Sequence, residues 1–164
     1  MINPFKFILS YLLILKASSF QGKGHFKKTI ELANKAKAYS PKSKIILKAS
    51  YIFLCDDYRR IGMYDQAINE TENALKLFHE EKQFHQLMVE ALTCKGEPIE
   101  KAIPYIKKYL AKYEKHTSKF PKIMQKFTKN IDLDEYAKQL NSWNDEWAEW
   151  AQETLNKFES NKTL

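Results

Sequence analysis

Residues 51–77 read YIFLCDDYRRIGMYDQAINETENALKL, and their apolar positions follow two helices separated by a glycine. Tyr51, Leu54 and Tyr58 recur at helical spacing, and Gly62 then breaks the pattern. One face of the next helix carries Tyr64, Ala67, Ile68, Ala74, Leu75 and Leu77. Glycine lets the backbone turn, and small residues such as Ala67 let two helix backbones approach closely. The stretch therefore predicts an antiparallel helical hairpin.

The hairpin pattern recurs on both sides of this stretch. The preceding copy, offset by 38 residues, consists of Leu13, Ala17, Phe20, Gly24, Phe26, Thr29, Ile30, Ala36, Tyr39 and Pro41. A following copy is formed by Gly96, Ile99, Ala102, Ile103, Tyr109 and Leu110. One such hairpin cannot bury its own apolar face, so neighbouring copies are expected to stack.

Residues 10–115 resemble a tetratricopeptide repeat, a helical hairpin of about 34 residues that stacks into a superhelix. The chain departs from the family pattern, because no copy has the usual early tryptophan or first-helix glycine. The third copy also has Tyr109 at a position for a small residue, and Pro104 inside its second helix, where a kink is expected. The resemblance implies an all-α fold of stacked antiparallel hairpins. Because Gly24 and Gly62 are 38 residues apart, the link after Pro41 is expected to hold about one extra turn.

The pattern also predicts where the individual helices lie. The predicted ranges are residues 25–40, 42–60, 64–79 and 84–94, a helix beginning at Pro98, a short one over 121–129 and a last one over 133–159. Asp132 and Glu135 have the spacing of a capping box at the start of the last helix.

All three tryptophans, Trp143, Trp147 and Trp150, lie in one stripe of the last helix. Residues 116–164 are expected to cap the stack, since a terminal repeat needs a polar outer face. The alternative is an exposed stripe that binds a partner or a second copy, because tryptophan anchors interfaces well.

The totals indicate one soluble globular domain, residues 1–164, with few Gly (4) and Pro (5) and hence mostly helix. The only cysteines, Cys55 and Cys94, are expected to be buried thiols of a reducing, cytoplasmic environment. Residues 1–20 superficially resemble a secretion signal. Their apolar run is too short to span a bilayer, and they are needed as the first repeat's first helix, so a signal or membrane-surface anchor is disfavoured.

Charge is polarised along the chain. Residues 1–60 hold 12 Lys and Arg against 3 Asp and Glu, a net of +9, whereas residues 132–159 hold 2 Lys against 8 acidic residues, a net of −6. Such polarity steers charged partners. A nucleic-acid interface is one alternative, but the basic residues are dispersed and no reading motif is present.

No motif predicts catalysis, a cofactor or a metal. The sequence has no phosphate-binding glycine loop, nucleophile elbow or HExxH, and His79 and His85 point to different helix sides. The adjacent Asp56 and Asp57 diverge by about 100° on a helix and cannot act as a paired acid and base. The sequence therefore predicts a protein that is not an enzyme.

Protein binding remains, and in the tetratricopeptide family the concave wall is built by the first helix of each pair. The resemblance places on that wall Tyr11, Ile14, Ser18, Ala49, Ile52, Asp56, Arg59, Phe84, Leu87 and Ala91. Family members that clamp a terminal carboxylate use Lys, Arg and Asn there, and only Arg59 matches. The predicted function is non-catalytic recognition of another protein, with neutralisation of a toxin, as by an immunity protein, as its sharper form.

Overall fold

The computed structural model describes residues 3–113 and 133–161, which form seven α-helices and contain no strand. The helices are α1 (Pro4–Gly22), α2 (Phe26–Tyr39), α3 (Lys44–Arg60), α4 (Tyr64–Leu77), α5 (Lys82–Lys95), α6 (Ile99–Lys112) and α7 (Leu133–Asn161). The all-α prediction is confirmed. The helix predicted over 121–129 and the capping residue Asp132 lie outside the described residues.

The chain divides into two compact units, Met1–Tyr105 and Ile106–Leu164. We call them the first and second units. The prediction of a single domain capped by the last helix concerns how the units are arranged and stays a prediction.

Three glycines end the first helix of each hairpin in the same conformation. Gly24, Gly62 and Gly96 have φ of 74°, 79° and 79°, in the left-handed region. At each turn the residue after the glycine donates its N–H to the carbonyl five residues back, as in His25 to Phe20 (2.9 Å) and Met63 to Tyr58 (2.8 Å). A Cβ at these glycines would meet nothing within 4 Å. The turn therefore requires glycine for its φ, and not for lack of space.

Three of the four extra residues of the first repeat interval lie inside a helix, and the fourth is Ile61, between the end of α3 and Gly62. The links Ser40–Ser43 and Phe78–Glu81 have the same length, whereas α3 has 17 residues and α5 has 14. The expectation of a longer link after Pro41 was wrong. The extra residues instead lengthen α3 by almost one turn.

The first unit has two layers of helices. The first helices of the hairpins are neighbours, because α1 packs against α3 and α3 packs against α5. Of the second helices, α2 packs against α1 and α3, and α4 packs against α3 and α5. An ion pair of 2.8 Å joins Lys37 of α2 to Glu70 of α4. A second, of 2.6 Å, joins Lys48 of α3 to Glu81 at the start of α5. The hairpins therefore lie side by side, as the sequence predicts for a helical stack.

The core lies where the two layers meet. One cluster consists of Tyr51, Cys55, Ala74, Phe84 and Leu87, and another of Ile30, Ala33 and Leu54. Thr29 and Ala67, which hold equivalent positions in the two hairpins, are both completely buried. The Thr29 hydroxyl donates to the Ala17 carbonyl at 3.4 Å, which ties α2 to α1.

The two cysteines differ from each other. Cys55 is buried as predicted, and burial raises the pKa of its thiol to about 12. Cys94 is exposed, so the prediction that it is buried was wrong. It lies in the last turn of α5.

The second unit is held together by aromatic contacts between the end of α6 and α7. Tyr109, completely buried, has its ring 4.2 Å from that of Trp147, centroid to centroid. The Tyr113 hydroxyl donates to the Asp145 carboxylate, which raises the pKa of Tyr113 to about 12. Tyr109 stands where the repeat pattern has a small residue because its ring packs against Trp147. Pro104 lies inside α6, as predicted.

Candidate functional site

The predicted wall residues fall into three groups in the structure. Tyr11 and Ser18 are exposed on α1. Ile14, Ala49, Ile52, Asp56 and Arg59 are partly buried, and Phe84, Leu87 and Ala91 are buried. The three α5 residues therefore stabilise the fold instead of lining a wall. In α5 the side chains from Phe84 to Val89 are buried continuously, so this helix has no simple exposed face at its centre. We call the surface formed by the seven accessible residues the inner wall.

A polar network crosses the inner wall and is centred on Asp56. Its carboxylate accepts from the Arg59 guanidinium at 2.6 Å and from Nε of Arg60 at 2.7 Å, both on α3. The side-chain amide of Gln21, on α1, donates to the same carboxylate at 3.2 Å. Two cations and one amide thus converge on a single carboxylate that is only partly accessible.

Arg59 extends the network to α5. Its Nη2 lies 3.3 Å from Oε2 of Glu90. The other carboxylate oxygen of Glu90, Oε1, accepts from the Gln86 amide at 3.0 Å. Burial raises the pKa of Glu90, an effect that Arg59 opposes. The Cys94 thiol interacts with Arg59 as well. Arg59 is therefore held between α3 and α5 with its guanidinium at the surface of the inner wall.

Asp57 lies beneath this network. Its carboxylate is completely buried and accepts from the Gln21 amide at 2.8 Å. Burial raises its pKa to about 6, while the bond from Gln21 opposes the rise. Asp56 and Asp57 thus occupy different environments, and only Asp56 faces the inner wall.

Half of the basic residues in the first 60 are already paired. Of the 12 Lys and Arg there, six lie within 4.0 Å of a carboxylate, namely Lys28, Lys35, Lys37, Lys48, Arg59 and Arg60. Paired cations offer a phosphate backbone less than their number indicates. The structure thus gives this alternative little support.

The tryptophans of α7 are not equivalent. Trp147 packs between Tyr109 and Trp150, with centroid distances of 4.2 and 5.5 Å. Trp143 and Trp150 keep 52% and 40% of their surface exposed. Trp147 is therefore partly buried, whereas Trp143 and Trp150 form accessible surface.

Sequence reasoning identified Asp56 and Arg59 but missed Gln21, Glu90 and Gln86. A local pattern cannot connect these residues to α3, because Gln21 is 35 residues from Asp56 and Glu90 is 31 residues from Arg59. Their positions on the first helices of neighbouring hairpins are the only hint that the sequence contains.

Among residues 3–113 and 133–161, no three His, Cys, Asp or Glu side chains are grouped to hold a metal ion. None of the helices in those same residues has the length and apolarity that crossing a membrane requires. Comparison of the chain with known protein families, curated proteins and solved structures finds no match. Function must therefore be inferred from the residues themselves.

Proposed function

We propose that this protein is a non-catalytic binding scaffold of the tetratricopeptide type, which recognises a helical or extended segment of another protein along its inner wall. The observation that carries the proposal is the network from Gln21 through Asp56 and Arg59 to Glu90. It joins side chains from the first helix of all three hairpins at one surface. Repeat scaffolds of this kind bind ligands on the surface that their stacked units share.

The network supports binding because its charged groups are already oriented. Arg59 is fixed by two carboxylates, so a partner carboxylate or carbonyl would meet a guanidinium that loses little rotamer freedom. Ile14 of α1 and Ile52 of α3 add partly accessible apolar surface to the inner wall, and Tyr11 adds an exposed aromatic ring. This mixture suits a peptide segment that places an apolar side chain and an acceptor at the same wall.

The sharper form of the proposal is that the partner is a toxin, which the complex neutralises. The polarised charge of the chain supports a partner steered by electrostatics, with a tight one-to-one complex whose association rate falls as salt is added. Co-expression with a neighbouring gene product and stopped-flow association at low and high salt test this form. A rate that is indifferent to salt, or the absence of a stoichiometric complex, would remove it.

The binding surface itself is tested with Arg59→Gln and with Cys94 as a reporter. The substitution is expected to lower the affinity for a co-purifying partner at least about tenfold, because it removes a charge-assisted hydrogen bond to that partner. Lys27→Gln, which removes the same charge at an exposed position on α2, is the matched control and should leave the dissociation rate of the complex unchanged. Bound partner should also slow alkylation of Cys94, the exposed thiol beside Arg59. Unchanged affinity together with an unchanged alkylation rate would exclude the inner wall as the binding surface.

A further inference from the structure

The outer face of α1 is apolar and uncovered within the described residues. Phe5, Ile8, Leu12 and Leu15 follow helical spacing, and each keeps more than half of its surface exposed. Scattered apolar residues on a surface need no explanation, but four in one row form a patch typical of an interaction site.

The repeat indicates what kind of structure covers such a face. The 38-residue offset makes Ile8, Leu12 and Leu15 equivalent to Ile46, Ser50 and Phe53 of α3. In α3 the first two of these positions are buried, and Phe53 packs against Ile30 and Ala33 of the preceding helix, α2. The exposed face of α1 is therefore the face that, one hairpin later, is covered by a helix.

The chain itself supplies a helix of suitable chemistry. In α7, Trp143 and Trp150 are seven residues apart and half-exposed, which matches the seven-residue spacing of Ile8 and Leu15. Glu146 lies between the two tryptophans on the same side of α7, and the whole helix has seven acidic residues against two lysines. α1 has two lysines and no acidic residue. Its charge is thus opposite to that of α7.

We propose that the outer face of α1 in one copy of the chain binds the tryptophan face of α7 in a second copy, head to tail. The two surfaces are complementary in charge and in the spacing of their apolar residues. Pairing of two α1 faces would instead place Lys6 and Lys16 of one copy near those of the other. Because the contact joins different surfaces, a pair of copies keeps one free α1 face and one free α7 face, and the assembly grows into chains or rings.

The experiment uses full-length variants, each blocking one surface. Leu12→Glu alters α1, and Trp143→Glu alters α7. Leu77→Glu is the control, since Leu77 is 51% exposed and Leu12 is 55% exposed. Far-UV circular dichroism and thermal unfolding confirm that each variant is folded. Mass is then measured by sedimentation and light scattering from about 1 µM to about 100 µM.

The wild type and Leu77→Glu are expected to exceed the 19.4 kDa monomer mass as concentration rises, while Leu12→Glu and Trp143→Glu each remain monomeric. An equimolar mixture of the two blocked variants should then form a dimer and nothing larger, since one intact surface of each kind remains. If Trp143→Glu still dimerises alone, α1 pairs with itself and the proposal is wrong. It is also overturned if the wild type stays monomeric throughout, including the case in which the monomer sediments with anionic lipid vesicles.

Discussion

Replacing Asp57 by Asn should make the protein more stable near neutral pH and remove a loss of stability that occurs on raising the pH from about 4 to about 6. Asp57 is completely buried, with Gln21 and Thr29 as its polar neighbours and Asp56 and Arg60 nearby. Its pKa is raised from 3.8 to about 6, mainly because burial disfavours the charged form. The folded state therefore binds the proton more tightly than the unfolded state does.

The direction and size of the effect follow from this shift. Because the pKa of Asp57 is higher in the folded state, its favourable contribution to the unfolding free energy is fully present below the pKa of the unfolded state. That contribution is lost as the pH rises through the pKa of the folded state. A shift of about two pH units corresponds to about 3 kcal/mol of unfolding free energy. Asn keeps an oxygen that accepts from Gln21 but has no charge to bury. The difference in stability between variant and wild type should thus grow by about 2–3 kcal/mol from about pH 4 to about pH 7.5.

Urea unfolding followed by far-UV circular dichroism at several pH values measures this difference. Asp56→Asn is the matched control on the neighbouring residue. It removes the ion pairs with Arg59 and Arg60, so it should destabilise the fold at neutral pH by about 1–2 kcal/mol. A stability difference for Asp57→Asn that stays constant over the whole pH range would refute the reasoning, whatever its absolute value.

Three further predictions concern the hairpins. Gly62→Ala should cost about 1–2 kcal/mol of unfolding free energy because φ is 79° there, whereas Gly22→Ala, within α1, should be neutral or slightly stabilising; denaturant titration distinguishes them. Ala67→Leu should cost about 1–3 kcal/mol by overpacking a fully buried position, while Ala38→Leu on an exposed position should not, and equal effects in the same titration would contradict the proposed packing. A thiol reagent should titrate Cys94 alone in the native protein and Cys55 only after unfolding; two fast thiols in the native state would show that the core around Cys55 is open.

The sequence was sufficient to predict the fold at positions where a local backbone requirement decides which residue type is present. Gly24 and Gly62 could be identified as turns because a positive φ strongly favours glycine, and the helix start after each followed from periodicity. Periodicity also gave the beginning of α4 at Tyr64 correctly and placed the beginning of α3 within two residues.

The sequence was insufficient to predict the burial of a side chain where that burial depends on which other helices surround it. Phe84 and Cys94 share one helix, yet Phe84 packs among core residues of α3 and α4 whereas Cys94 is exposed. No local pattern distinguishes the two environments. In the same way, the burial of Asp57 beneath Gln21 depends on contact between residues 36 positions apart. The sequence therefore predicted the part of the candidate site on α3, Asp56 and Arg59. It did not predict the contacts that these residues make with Gln21 of α1 and Glu90 of α5.

The central claim is that neighbouring hairpins lie side by side, so that their first helices share one wall. Zero-length carbodiimide cross-linking of the monomer, followed by peptide mass spectrometry, tests it directly, because this reagent joins only amines and carboxylates in contact. The account predicts amide links between Lys37 and Glu70 and between Lys48 and Glu81, each joining two hairpins, alongside the within-helix link of Lys35 to Glu31 as the positive control. Recovery of the Lys35 link with neither of the other two would contradict the stacked arrangement.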